Sequence, residues 1–208
     1  MGLARLFCCL TLVGAAANCA GILDCRVIDA GFWFEPVEFE SRTLGGAITA
    51  EEIHTIAAVA RSELTGAFTG LNIRFSNRRD LTYRVRVVQE LRDMRVRWKT
   101  GVPAESRAVP GFGGQGSVSF SWLASAAVAY APDGADRASI VDAIGRGIGR
   151  AAVHEFAHLL LPRANIDDAS DINSYEYRSA ARSEQYFGEL RWGRVRPLLR
   201  ERIPACAE

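Results

Sequence analysis

Apolar residues recur near a 3.6-residue period from Ile140 to Leu161, at Ile140, Val141, Ile144, Ile148, Ala152, Phe156, Leu159 and Leu160. That period predicts one long helix, opened by Asp136 or Ser139 and closed before Pro162. Gly145, Gly147 and Gly149 each cost such a helix up to about 1 kcal/mol against Ala. Their clustering predicts that another backbone packs closely there. A second helical period, Ile53, Ile56, Ala60 and Leu64, follows Thr49 as N-cap, with Glu51 and Glu52 in its first turn. It ends between Gly66 and Gly70.

Between the two helices the period changes to two. Leu71, Ile73 and Phe75 alternate with polar residues; so do Tyr83, Val85 and Val87, and Met94, Val96 and Trp98. Each run predicts a strand with one buried and one wet face. The intervening arginines then read as solvated faces rather than a phosphate site. Val27 to Phe34 reads as an opening strand. The alternation of Val118, Phe120 and Trp122 with serines predicts another, and this run, or Ala126 to Tyr130 after it, leads into the long helix. Thr100 to Gly116 reads as a flexible connection, because its glycines do not lie between a parallel strand and a helix. Val195, Leu198, Leu199 and Ile203 form a short closing helix. The class expected is α+β: a mixed twisted sheet, an N-terminal backing helix, the long helix and a small C-terminal helical subdomain.

A chain of 208 residues is long enough for one domain with a proper core. Its formal net charge of +1 gives no electrostatic case for nucleic acid. Residues 1–20 read as an export signal: Arg5 precedes an apolar stretch, Leu6 to Ala17, too short to span a bilayer, and small residues follow. Residues 21–208 are then one exported domain, secreted or periplasmic, without a membrane span. Cleavage after Ala20 leaves Cys25 and Cys206 to pair as a disulfide tying the termini together. Cleavage after Ala17 leaves Cys19 as an odd thiol or a lipid anchor.

The chemistry concentrates in His154-Glu155-Phe156-Ala157-His158. Histidines four apart on a helix share a face, so two neutral imidazoles can hold one Zn²⁺. Glu155, beside the metal, is placed to take a proton from its water. The chain has 3 histidines, and the remaining one, His54, reads as a surface or packing residue on the earlier helix.

These five residues and their apolar neighbours resemble the signature of the zincin metallopeptidases. The resemblance covers about ten residues closely and the order of elements loosely. It implies a zincin-like fold and an exported zinc metallopeptidase, a monomer acting on a peptide or protein. Glu155 would serve as general base and His154 and His158 as metal ligands. It also implies that the last strand before the ligand helix, in the 117–130 region, lines the cleft. The metzincin branch continues its pattern with Gly and His, where this chain has Leu161 and Ala164. The third ligand is therefore expected to be a carboxylate: Asp167 first, then Asp168 or Glu176, with Tyr175 or Tyr177 less favoured. A tyrosine hydroxyl or Arg178 would stabilise a developing oxyanion. The other reading implied is a zincin-like domain that binds metal without cutting protein.

Overall fold

In the computed structural model, which describes residues 27–91 and 102–205, β1 (Ile28–Phe34) lies inside a five-stranded sheet. Ala30 to Trp33 are all buried, as suits an inner parallel strand covered on both faces. A small antiparallel pair, β2 (Glu40–Ser41) and β3 (Gly46–Ala47), precedes α1 (Ala50–Ala67). Thr49 caps α1 through a reciprocal pair: the Glu52 N–H donates to Thr49 Oγ1 at 3.2 Å, and the Thr49 N–H donates to Glu52 Oε2 at 2.9 Å.

Then come β4 (Ile73–Ser76), β5 (Tyr83–Val88), β6 (Ala104–Val109) and β7 (Gly113–Ser119). The sheet order is β4-β1-β5-β7-β6, with every neighbouring pair parallel except β6 and β7. The rest is helical or irregular: α2 (Phe120–Ala129), α3 (Arg137–Leu160), α4 (Glu184–Phe187) and α5 (Val195–Arg202). The class is α+β with a mixed sheet.

Two sequence expectations fail between residues 100 and 130. Residues 104–109 and 113–116 are strand, not flexible connection. The inward positions of β6 are Ala104, Ser106 and Ala108, too small and polar to carry a hydrophobic signal. The glycines of β7 answer a packing demand instead: a Cβ on Gly114 would lie 2.7 Å from Leu159 Cδ2. Gly111 and Gly113, both at positive φ, turn the hairpin between these strands. The second failure is α2. Ser119 ends β7 and caps a helix, its hydroxyl accepting from the Trp122 N–H at 3.4 Å. Phe120, Leu123, Ala124 and Ala127 are buried at helical spacing, so Ala126 to Tyr130 is no strand. The alternation at Met94 to Trp98, and Cys19, Cys25, Cys206 and the export signal, lie outside the described residues.

Asp136 opens α3, accepting from the Ser139 N–H at 2.8 Å. Arg137 then ties α3 to α1 through both oxygens of Glu52. The close approach expected at the glycines is made by α1 and by an aromatic ring. A Cβ on Gly149 would meet the Ala60 carbonyl oxygen at 2.6 Å, and one on Gly145 the Ile56 carbonyl oxygen at 2.9 Å. Gly147 faces the ring of Tyr186, 2.5 Å from where its Cβ would be. Ile144, Ile148, Ala152 and Phe156 are buried along α3 and hold it in the core. No helix among the described residues is long and apolar enough to cross a membrane.

Candidate metal centre

The last turns of α3 carry His154 and His158 on one face, as the four-residue spacing requires. Their rings meet edge to face with centroids 4.9 Å apart, and their Nε2 atoms are 3.2 Å apart. After Leu160 the chain makes a short excursion and returns at Asp167. Arg194 holds that return, donating to the carbonyls of Asn165 at 3.0 Å and Asp167 at 3.1 Å. A short bridge next to it, with the Asp168 N–H on the Glu176 carbonyl and the Arg178 N–H on the Asp168 carbonyl, fixes residues 167–178.

Asp167 Oδ1 lies 3.2 Å from His154 Nε2 and 3.6 Å from His158 Nε2. Among the described residues, His154, His158 and Asp167 are the group able to hold a metal ion. Tetrahedral Zn²⁺ with bonds of about 2.0–2.1 Å separates its ligand atoms by about 3.3 Å, close to all three edges of this triangle. The donor chemistry fits as well. The His154 Nδ1–H donates to the Tyr175 carbonyl at 2.8 Å. A carbonyl only accepts, so the neutral ring presents a lone pair at Nε2. His154 Nε2 and the Asp167 oxygen then both accept, so this contact calls for a proton or a metal among the three atoms.

The metal-free electrostatics express that demand. Burial opposes protonation of His154, but the Asp167 hydrogen bond, the Glu155 charge and the Tyr175 carbonyl outweigh it and raise its pKa. Burial and the neighbouring His154 charge lower the pKa of His158. The His154 hydrogen bond holds Asp167 below the usual carboxylate range.

Glu155, 7% exposed, points into the same cleft. Burial pushes its carboxyl upward, while the His154 charge and the neighbouring Ser106 of β6 work the other way. The cleft, a cavity of about 400 Å³, runs from residues 102–107 across α3 to Tyr175, Tyr177 and Gln185. Its strand wall is thus β6 and the residues before it, not the 117–130 region. Ser106 escaped the sequence reading because the small residues of β6 leave no periodic trace.

The other acidic candidates are engaged elsewhere. Asp168 Oδ1 accepts from the N–H and hydroxyl of Ser170, at 2.9 and 2.8 Å. Glu176, 1% exposed, accepts from the N–H groups of Gly193 at 2.7 Å and Val195 at 3.0 Å, opening α5. Its role is to satisfy buried donors. Glu176→Ala is therefore expected to cost about 3 kcal/mol of stability by orphaning them. Denaturant unfolding measures this. His54 is exposed on α1, away from the cluster. Tyr175, Tyr177 and Arg178 all line the cleft.

No protein-family model matches this chain, and comparison with curated proteins and with solved structures returns no significant similarity.

Proposed function

We propose that this chain is an exported zinc metallopeptidase of zincin type, with His154, His158 and Asp167 as the protein ligands. The observation that carries the reading is the triangle of two imidazole nitrogens and one carboxylate oxygen, with a buried glutamate beside it in an open cleft. When bound there, Zn²⁺ supplies Lewis acidity, polarising a carbonyl and bringing the ionisation of water to about pH 7. Glu155 takes the proton of the attacking water and delivers it to the leaving amine, so carboxyl and amine products form with no proton lost. The Tyr175 carbonyl fixes the tautomer and ring plane of His154. Among the described residues β6 is an edge strand, and an edge offers backbone groups along which an extended peptide can lie. The topology supports the reading through the placement of this edge next to the ligand helix.

Zinc binding separates this reading from its rivals. Equilibrium dialysis of chelator-stripped protein is expected to return one zinc per chain. Excess metal at about 1,000 times Kd should then raise Tm by about 10 °C. Asp167→Ala should weaken zinc binding by about 100-fold or more and remove most of that rise. One zinc per chain without turnover of any peptide in a library would assign a metal-binding module instead. A chain that binds no zinc would end the enzymatic reading.

A further inference from the structure

Beyond the metal ligands, the cleft is lined by guanidinium groups with little to neutralise them. Arg150 is the exception: Glu63 takes both its Nε and Nη2, at 3.0 and 3.2 Å, and carbonyls of Glu184 and Gln185 take its Nη1. Arg107 and Arg178 are exposed at the cleft wall, and among the described residues neither side chain has an ion pair or hydrogen bond. Behind the wall lies Arg182, only 4% exposed. Its Nη2 donates to the Ser174 carbonyl at 2.9 Å and to Gln185 Oε1 at 3.0 Å, while Nε and Nη1 have no partner. Its guanidinium stacks 4.6 Å from the centroid of Tyr177, and both Tyr177 and Gln185 face the cleft. No carboxylate pairs with it among the described residues.

With a dication in place, Asp167 and Glu155 balance the metal. Among the described lining residues, Glu105 and Arg107 stand at outward positions of β6 and offset each other, which leaves Arg178 in front and Arg182 behind. A concave, partly desolvated surface concentrates such a field. Peptides carrying negative charge lose least on entering, and lysine-bearing ones meet repulsion.

We infer that the cleft selects peptides bearing a carboxylate close to the bond presented to the metal, as an acidic side chain or as a free chain end. The inference rests on the metallopeptidase reading above and deepens it. Arg178 supplies the facing charge, and Arg182 acts as a positioning residue that braces Tyr177 and Gln185.

The test is binding rather than turnover. Short peptides identical except for Glu, Gln or Lys at one position, each with a free or amidated C-terminus, are titrated into zinc-loaded Glu155→Gln protein. The Glu form is expected to bind about tenfold tighter than the Lys form. Arg178→Glu should abolish or invert that order, with Arg178→Gln, which should abolish it, as the second variant. Raising ionic strength toward about 1 M, where screening acts over about 3 Å, should flatten it. A preference lost on amidation identifies the chain end as the carboxylate recognised; one that follows the Glu position identifies the side chain. Equal binding of Glu and Lys peptides, tighter binding of Lys, no binding at all, or an order unchanged in both variants overturns the inference. Binding with this preference but no cleavage by the wild-type chain keeps it and removes the hydrolytic reading. Cleavage without preference does the reverse.

Discussion

Glu155→Gln is expected to keep zinc at one per chain and to lower kcat about a thousandfold, a barrier increase of about 4 kcal/mol. The argument is one of shape against charge. Glutamine fills the same volume between α3 and β6. It cannot accept a proton from water at neutral pH. At 7% exposure the ionised carboxylate also carries a desolvation cost that the amide does not. The variant should therefore unfold no earlier than the wild-type chain, and slightly later if anything, the usual cost of holding a charged group where chemistry needs it. Metal content, Tm and peptide hydrolysis measured on one preparation decide the matter. Full activity in the variant would remove Glu155 from the mechanism; loss of metal would make it part of the binding site.

The second large effect concerns two glycines. By helix propensity alone, Gly145→Ala with Gly149→Ala should stabilise α3 by about 2 kcal/mol. The packing reverses the sign. A methyl at Gly149 falls 2.6 Å from a backbone oxygen of α1 and 2.8 Å from Glu63 Cβ; one at Gly145 falls 2.7 Å from Val59 Cβ. None of these atoms is the free end of a flexible side chain, so the helices must separate. Overpacking at about 1–3 kcal/mol per site, together with the loosening of the residues buried around it, exceeds the propensity gain. A net loss of about 2–4 kcal/mol is expected, a fall in Tm of roughly 5–10 °C. Because Glu63 holds Arg150 under the cleft, zinc affinity should fall as well. An unchanged or higher Tm would show that the interface yields where the contacts indicate it cannot.

What the sequence made legible follows from which interactions are periodic. The ligand helix could be read from its apolar stripe and its cap, and the juxtaposition of His154 and His158 follows from helical geometry alone. The glycines announced a close neighbour without naming it, since nothing in a local pattern says that α1 is the partner. Asp167, Asp168 and Glu176 were indistinguishable as residues. They are separated only by their hydrogen bonds: a local turn at Ser170 takes Asp168, and the distant Gly193 and Val195 take Glu176. β6 was invisible because Ala104, Ser106 and Ala108 are small where the ligand helix crowds the sheet. α2 was mistaken because a short run of serines and large apolar residues satisfies both periods until Ser119 is seen to cap it. For the glycines, Glu176 and β6 the missing information was long-range contact; for α2 and Asp168 it was a local hydrogen bond that the apolar pattern does not register.

One consequence lies in how the centre is put together. The helix brings two of the three donors, but the carboxylate and the carbonyl that orients His154 come from residues 167–175, which are fastened by Arg194 and Glu176 near the end of the chain. A nascent polypeptide stopped at residue 164 would own the sheet and both long helices, yet only a loose pair of imidazoles. The triangle of His154, His158 and Asp167 is thus closed only when residues beyond 164 fold back over the end of α3.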